Sequence, residues 1–271
     1  MRIQHEDTES FYLSQVLYMA VFEVYSAVAW ELLFGEFNHF SIVLHHPQSP
    51  ILVILTQSNS AQGLKNSSQC RIPPNIQTWT IHGLWPLKAH TCCRCWPIFH
   101  SDLKELDPEL SQLWPSLLKT QSSFLFWKDE WIKHGSCAAC VEGMNSPLRY
   151  FQICLKLRGR FDIDRALEDA GIKPSCNQSY PYDKVNHALA PVIGDDPGVQ
   201  IQCINDEKGR EVLVQVKIPL SQNLTLGCHH EEDQGAEPTQ LWHTFPGHPC
   251  PQESPVFYFP INHDRPHQPC D

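Results

Sequence analysis

Thr78-Trp79-Thr80-Ile81-His82-Gly83-Leu84-Trp85-Pro86 and Phe126-Trp127-Lys128-Asp129-Glu130-Trp131-Ile132-Lys133-His134-Gly135-Ser136-Cys137 are the stretches from which the rest of the chain can be read. In the first, Trp79 and Ile81 alternate with Thr78, Thr80 and His82, the period of a strand whose successive side chains point to opposite faces. A strand over 78–82 carries His82 on the face away from the two large apolar residues. Gly83 and Pro86 then end the strand beside a loop, where a histidine is placed to reach a ligand. Taken alone, an ordinary half-buried histidine fits as well. The second stretch has helical spacing: Phe124, Trp127 and Trp131 share one stripe, and Glu130 and His134 are i,i+4 neighbours along its edge. A helix over 124–134 offers a carboxylate and an imidazole to one pocket, with Gly135 as its C-cap and the helix dipole favouring protonated His134. An isolated pair of this kind also describes a solvated ion pair.

Outward from these stretches, helical periodicity covers 102–118, 148–158 and 163–170, where Gly171 is a natural stop. Strand-like alternation or short apolar runs cover 41–44, 199–204, 211–218 and 256–259. Helices come early and strands late, which points to an α+β fold with a central, largely antiparallel sheet flanked by several helices. The 22 prolines argue against a helix bundle. With 271 residues, 42% of them hydrophobic, and no internal repeat, one domain over 38–262 with a tail at 263–271 is the simplest division. The segment 229–237 is acidic and polar, as in an exposed loop.

A net charge of −10 excludes a whole-molecule basic field, so any nucleic-acid site must be local. Twelve cysteines, with Cys92, Cys93 and Cys95 crowded together, and sequons at Asn66, Asn177 and Asn223 favour an oxidising, glycosylating compartment. Secretion to the extracellular space or the lysosomal lumen is expected. Residues 1–37 form an atypical N-terminal segment and only a candidate signal peptide. Glu6, Asp7 and Glu9 occupy the place of its positive region, Glu23 interrupts the apolar stretch, and Ala27-Val28-Ala29 before Trp30 offers a cleavage site. The apolar run 51–55 is too short to span a bilayer, so no membrane span is expected.

Together the two opening stretches resemble the paired signatures of the ribonuclease T2 family, W-T/S-I-H-G-L-W-P and F-W-x-H-E-W-x-K-H-G-S/T-C. The likeness extends from Cys70-Arg71-Ile72-Pro73-Pro74 through Tyr150-Phe151, Gly171-Ile172-Lys173-Pro174 and Ile201-Gln202-Cys203 to Pro255-Val256-Phe257-Tyr258. It implies a disulfide-stabilised ribonuclease T2-like fold and an endoribonuclease acting on single-stranded RNA as a monomer. The reaction is metal-free and cofactor-free and yields a 2′,3′-cyclic phosphate. By the resemblance, His134 takes the 2′-hydroxyl proton, His82 protonates the leaving 5′-oxygen, and Glu130 with Lys133 supports the charged transition state. Trp85 would stack a base. The resemblance also pairs Cys92 with Cys137 and Cys203 with Cys250.

The sequence departs from that pattern in places. Asp129 stands where the family has a phosphate-holding histidine, and its carboxylate repels the phosphate unless Lys133, four residues on, neutralises it. Leu87 replaces a common aspartate, which leaves base preference open. Cys70 has no expected partner upstream, and Lys217 occupies the place of a partner for Cys228, so Cys70, Cys93, Cys95, Cys140, Cys154, Cys176, Cys228 and Cys270 are unassigned. A weakened or inactive secreted RNA-binding or signalling glycoprotein on the same fold is the alternative these departures motivate. Cys92-x2-Cys95 with Cys137-x2-Cys140 would also spell a four-thiolate zinc site, against which the expected Cys92–Cys137 pairing stands.

Overall fold

The computed structural model describes residues 39–46, 70–86, 92, 96–193, 200–221, 224 and 247–270. The N-terminal segment 1–37, the run 51–55, the loop 229–237, Asn66, Asn223, Leu87, Cys93, Cys95 and Cys228 lie outside the described residues.

Strand β1 (His39–His45) is the axis of a mostly antiparallel sheet. It pairs on one side with β2 (Thr80–Pro86) and on the other with β5 (Glu211–Ser221), beyond which lie β4 (Gln200–Asn205) and β6 (His248–Pro249). The two-residue strand β3 (Ser179–Tyr180) pairs antiparallel with β7 (Val256–Phe257), which runs parallel to the start of β5. Pro219 lies within β5 two residues beyond Lys217, where the pairing with β4 among the described residues stops.

Register sorts the side chains into two unlike faces. On one, Leu44 stands opposite Ile81 and Val216, Ile42 opposite Leu84 and Ile218, and Ile201 opposite Val216. This face is the core, and each such side chain removed from water contributes about 1.5–3 kcal/mol. The other face carries His45 opposite Thr80 and Gln215, Val43 opposite Gly83 and Lys217, and Gln202 opposite Gln215. It is polar and yet buried.

The helical elements pack on this frame. They are a 3-10 turn (His100–Leu103), α1 (Asp107–Leu113), α2 (Ser123–Glu130), α3 (Pro147–Arg160), α4 (Ile163–Asp169) and α5 (Tyr182–Ile193). The single helix expected over 102–118 is broken, because Pro108 belongs in a first turn and Trp114, ahead of Pro115, leaves helical geometry at φ −140°, ψ 47°. The Ser146 hydroxyl accepts from the Arg149 N–H at 3.3 Å to start α3, whose Tyr150, Phe151, Cys154, Leu155 and Leu157 enter the core. Helix α4 stops where expected, with Gly171 at φ +69° and the Ile172 N–H returning to Leu167 O at 2.8 Å. Helix α5 is absent from the sequence-based expectations: Val185, Leu189 and Ile193 make a buried i,i+4,i+8 stripe, and Pro191 is tolerated because it falls in the last turn.

Among the described residues, disulfides join Cys92 to Cys137, Cys203 to Cys250 and Cys176 to Cys270. The last ties 263–270 to the body. The first consumes two of the four thiolates that a zinc site on Cys92, Cys95, Cys137 and Cys140 would need. Among the described cysteines, Cys70, Cys140 and Cys154 are free thiols. No helix among the described residues is long and apolar enough to cross a membrane.

Candidate active site

His82 does not sit at a strand end. Strand β2 continues through Gly83 to Pro86 because β1 supplies pairing partners as far as Phe40. Between Val43 and Leu44 the partner on β2 changes from Gly83 to Ile81, so His82 is the extra residue of a β-bulge, a device that re-aims a side chain. Before the strand, Trp79 is pinned by its indole N–H to Tyr258 Oη at 3.2 Å and by Arg158 Nε on its carbonyl at 3.0 Å. From the helix side, Trp114 Nε1 donates to His82 O and Tyr150 Oη to Leu84 O, each at 2.9 Å. The bulge is therefore held from both ends.

Glu130 is the last residue of α2, whose start is capped by Ser122 Oγ accepting from the Leu125 N–H. A π turn (Trp131–Gly135) and a short helix (Ser136–Ala138) follow. Gly135 is thus no C-cap: at φ −64°, ψ −36° it continues the helix, and glycine is required there because a Cβ would fall within 3.0 Å of the Trp131 ring. The dipole argument for protonated His134 fails with it, since His134 is not in a terminal turn. π turns of this kind recur at functional sites, where they reorient side chains without breaking the helix.

The π turn brings His134 Nε2 to 4.0 Å from Glu130 Oε2. Trp85 Nε1 donates to the same carboxyl oxygen at 3.1 Å. The Trp85 ring stacks on His134 (centroids 5.1 Å apart, 29° between planes) and meets His82 edge-on (5.1 Å, 77°). Beneath this set is Gly83, where any Cβ would lie within 3.0 Å of Glu130 Oε2 and Trp85 Nε1. His82, Trp85, Glu130 and His134 form one cluster, and Trp85 is its spacer. With 8% of its surface exposed and one face against His134, Trp85 offers little ring to a base.

Burial governs the protonation of the cluster. It pushes the Glu130 carboxyl up to about 8, against the Trp85 hydrogen bond and the nearby Lys133 charge, which pull it down. Burial also holds His82 well below the ordinary histidine range, with the charges of His45, His134 and Lys217 adding to the effect. For His134 the direction is the same, from burial first and Lys133 second, though its side chain keeps 28% exposure and is the most open of the three. At mildly acidic pH the cluster holds a neutral carboxyl beside imidazoles that resist a positive charge until an anion arrives.

Asp129 and Lys133 lie outside the cluster. Asp129 accepts from Gln121 Nε2 at 3.1 Å, and no Asp129–Lys133 ion pair occurs among the described residues, because the π turn starting at Trp131 rotates the exposed Lys133 out of α-helical phase. Cys137, bonded to Cys92, anchors the chain just past the π turn. Asn177 is exposed beside the Cys176–Cys270 bridge, and Cys203–Cys250 joins β4 to the β6 edge. The polar floor of His45, Gln215 and Lys217 was not picked out from the sequence. Its signal was available as the i,i+2 spacings Val43/His45 and Gln215/Lys217 on strands whose other face is apolar.

Comparison with known proteins bears on the fold and the family. The family model described as the ribonuclease T2 family matches residues 52–235. Ribonuclease T2 of Sus scrofa is 35% identical over 199 residues, spanning 72% of this chain and 90% of that protein. Ribonuclease T2 of Homo sapiens is 38% identical over 183 residues, spanning 66% and 70%. Among solved structures, human RNase T2 superposes with a TM-score of 0.63 at 31% identity, covering 82% of this chain and 98% of that one. RNase NT in complex with 5′-AMP shares the fold at a TM-score of 0.60 and 22% identity, covering 83% and 99%. On the motifs, the sheet and these likenesses, the chain belongs to the ribonuclease T2 family.

Proposed function

We propose that this protein is an endoribonuclease that cleaves single-stranded RNA by acid–base transphosphorylation. His134, the most open group of the cluster, removes the proton from the ribose 2′-hydroxyl; the 2′-oxygen attacks the adjacent phosphorus; and the 5′-oxygen leaves with a proton from His82, giving a 2′,3′-cyclic phosphate. An arriving phosphate is the counter-charge that lets a buried imidazole hold the proton it must deliver. Glu130, neutral at mildly acidic pH, does not repel that phosphate. Its second oxygen can donate to it while Oε2 is fixed by Trp85. Trp85 serves as the spacer that sets Glu130 and His134, and exposed Lys133 adds positive charge at the rim. The proton inventory balances with side chains alone, so no step calls for a metal or cofactor.

The observation that carries this reading is the single carboxyl oxygen of Glu130 shared between Trp85 Nε1 at 3.1 Å and His134 Nε2 at 4.0 Å above a residue that only glycine can fill. The disulfides and the exposed Asn177 sequon fit a monomeric, glycosylated protein of the extracellular space or the lysosomal lumen, built as one domain over 38–262. RNA cleavage measured from pH 4 to 8 with EDTA present should show cyclic-phosphate ends and an acidic optimum. His134→Ala should lower the rate by about 10²–10⁴-fold, and retained activity in that variant would overturn the mechanism.

A further inference from the structure

Lys217 is 2% exposed, a depth at which lysine is a costly occupant unless its charge acts on a neighbour. It stands on β5 opposite Val43, and Val43 stands opposite Gly83, so Lys217 shares the polar face with the residue beneath Glu130. Gln200 of β4 flanks it on the far side. Two residues back along the same face, Gln215 pairs with His45, whose ring lies 5.3 Å from that of His82. An amide and an ammonium thus underlie the bulged histidine. Neither proton transfer of the cleavage reaction uses them.

We propose that Lys217 is a positioning residue of this ribonuclease site: its ammonium acts through His82, driving the imidazole proton toward the leaving 5′-oxygen. The proposal rests on the ribonuclease reading above. Among the described residues, the titratable groups acting on His82 are His45 from β1, His134 from the π turn and Lys217 from β5, with Gln215 hydrogen-bonding in the opposite sense and the Trp85 and Phe126 rings 5.1 and 6.1 Å from the imidazole. Burial holds His45 at about 3, so it is neutral at mildly acidic pH, and it brings Lys217 only to about 8, so the lysine stays charged. A fixed positive charge beside an imidazolium makes it a stronger acid. In the transition state His82 gives up its proton, and the repulsion from Lys217 is relieved as the proton leaves. Because Lys217 is only 2% exposed, on this proposal the effect falls on turnover and leaves substrate affinity unchanged.

The test follows the His82 ring protons by NMR from pH 4 to 8 without RNA in wild type, Lys217→Met, Lys217→Gln and Lys217→Arg. Alongside, kcat and KM are measured over the same range on a dinucleotide. Removing the charge should raise the His82 midpoint by roughly one pH unit and move the matching limb of the kcat profile with it. On the acidic plateau kcat should fall roughly threefold with KM constant, and Lys217→Arg should keep the wild-type midpoint. An unmoved His82 midpoint in either uncharged variant overturns the proposal, and so does a KM rise matching the kcat loss, which would mean contact with substrate. Titration of Lys217 in the wild-type protein needs no variant: an ammonium already neutral while His82 titrates also overturns it. Should wild type fail to cleave RNA, the ribonuclease reading falls, while the His82 midpoint still decides whether Lys217 acts on the imidazole.

Discussion

Replacing Gly83 with alanine adds one methyl group between β2 and the Glu130 carboxyl at the end of α2. The new Cβ would fall within 3.0 Å of Glu130 Oε2 and Trp85 Nε1, whereas ordinary contact begins at 3.4 Å. Neither neighbour is free to withdraw. Trp85 is held between His82 and His134 with ring centroids 5.1 Å away on both sides, and Glu130 is 4% exposed at the end of α2. The carboxyl must shift by roughly 1 Å, a displacement that at a reacting centre costs about 10²-fold in rate. The shift also breaks the 3.1 Å bond from the Trp85 indole. Overpacking and the stranded indole donor together should destabilise the fold by about 2–4 kcal/mol. Urea unfolding should show the midpoint falling with an unchanged slope, and kcat should fall far more than KM rises. A variant with the wild-type midpoint and wild-type kcat would refute the claim that Glu130 is held against Gly83, and the construction of the site with it.

Other perturbations test separate parts of the structure. Breaking the 94-residue span with Cys176→Ser and Cys270→Ser together should cost about 3–5 kcal/mol in denaturant unfolding while leaving low-temperature kcat intact, since neither cysteine belongs to the His82, Trp85, Glu130 and His134 cluster. Asp129→His should raise kcat/KM on RNA roughly threefold or more at low salt, with the gain shrinking as ionic strength rises, because, on the proposed function, a half-buried carboxylate standing where the family pattern has a phosphate-holding histidine is removed and only its bond to Gln121 is lost. Without RNA, stability should fall as pH drops from 6.5 toward 3. His45 and His46 titrate near 6.5 when unfolded but only at about 3 when folded, so the unfolded chain takes up protons first. Calorimetry giving a flat profile across that window would contradict the burial of those rings.

Short-range chemistry was readable from the sequence where period and punctuation agreed. The strand period around His82, the i,i+4 spacing of Glu130 and His134, and the Gly171 stop all depend on residues within a few positions of one another, and the α+β architecture follows from their order. What could not be read depends on partners distant in sequence. Gly83 looks like a strand terminator until β1 is placed beside it, and Gly135 looks like a C-cap until the Trp131 ring is known to need its space. Trp85 reads as an aromatic platform, yet a residue of helix α2 claims its indole N–H. Lys217, seen only as a missing cysteine partner, acquires meaning through two strand pairings that bring it beneath the site. Helix α5 carries its i,i+4,i+8 stripe across Pro191, whose cost depends on which turn it occupies.

The buried polar face explains why burial and catalysis are compatible in this fold. Taking imidazoles and a carboxyl out of water opposes charge on each of them, so the cluster without RNA is close to neutral, with Glu130 pushed up to about 8 and His82 and His134 pushed down. A neutral cluster is the least costly one to bury. On the proposed function, the phosphate then supplies the negative charge that the imidazoles lack, and protonation of His82 becomes coupled to anion binding rather than to bulk pH alone. Proton uptake is therefore greatest when the scissile phosphate is in place, which is also when the leaving oxygen needs the proton. On the same proposal, Lys217 sharpens that coupling: it penalises the imidazolium in the empty site, and the penalty is relieved as the proton passes to the 5′-oxygen.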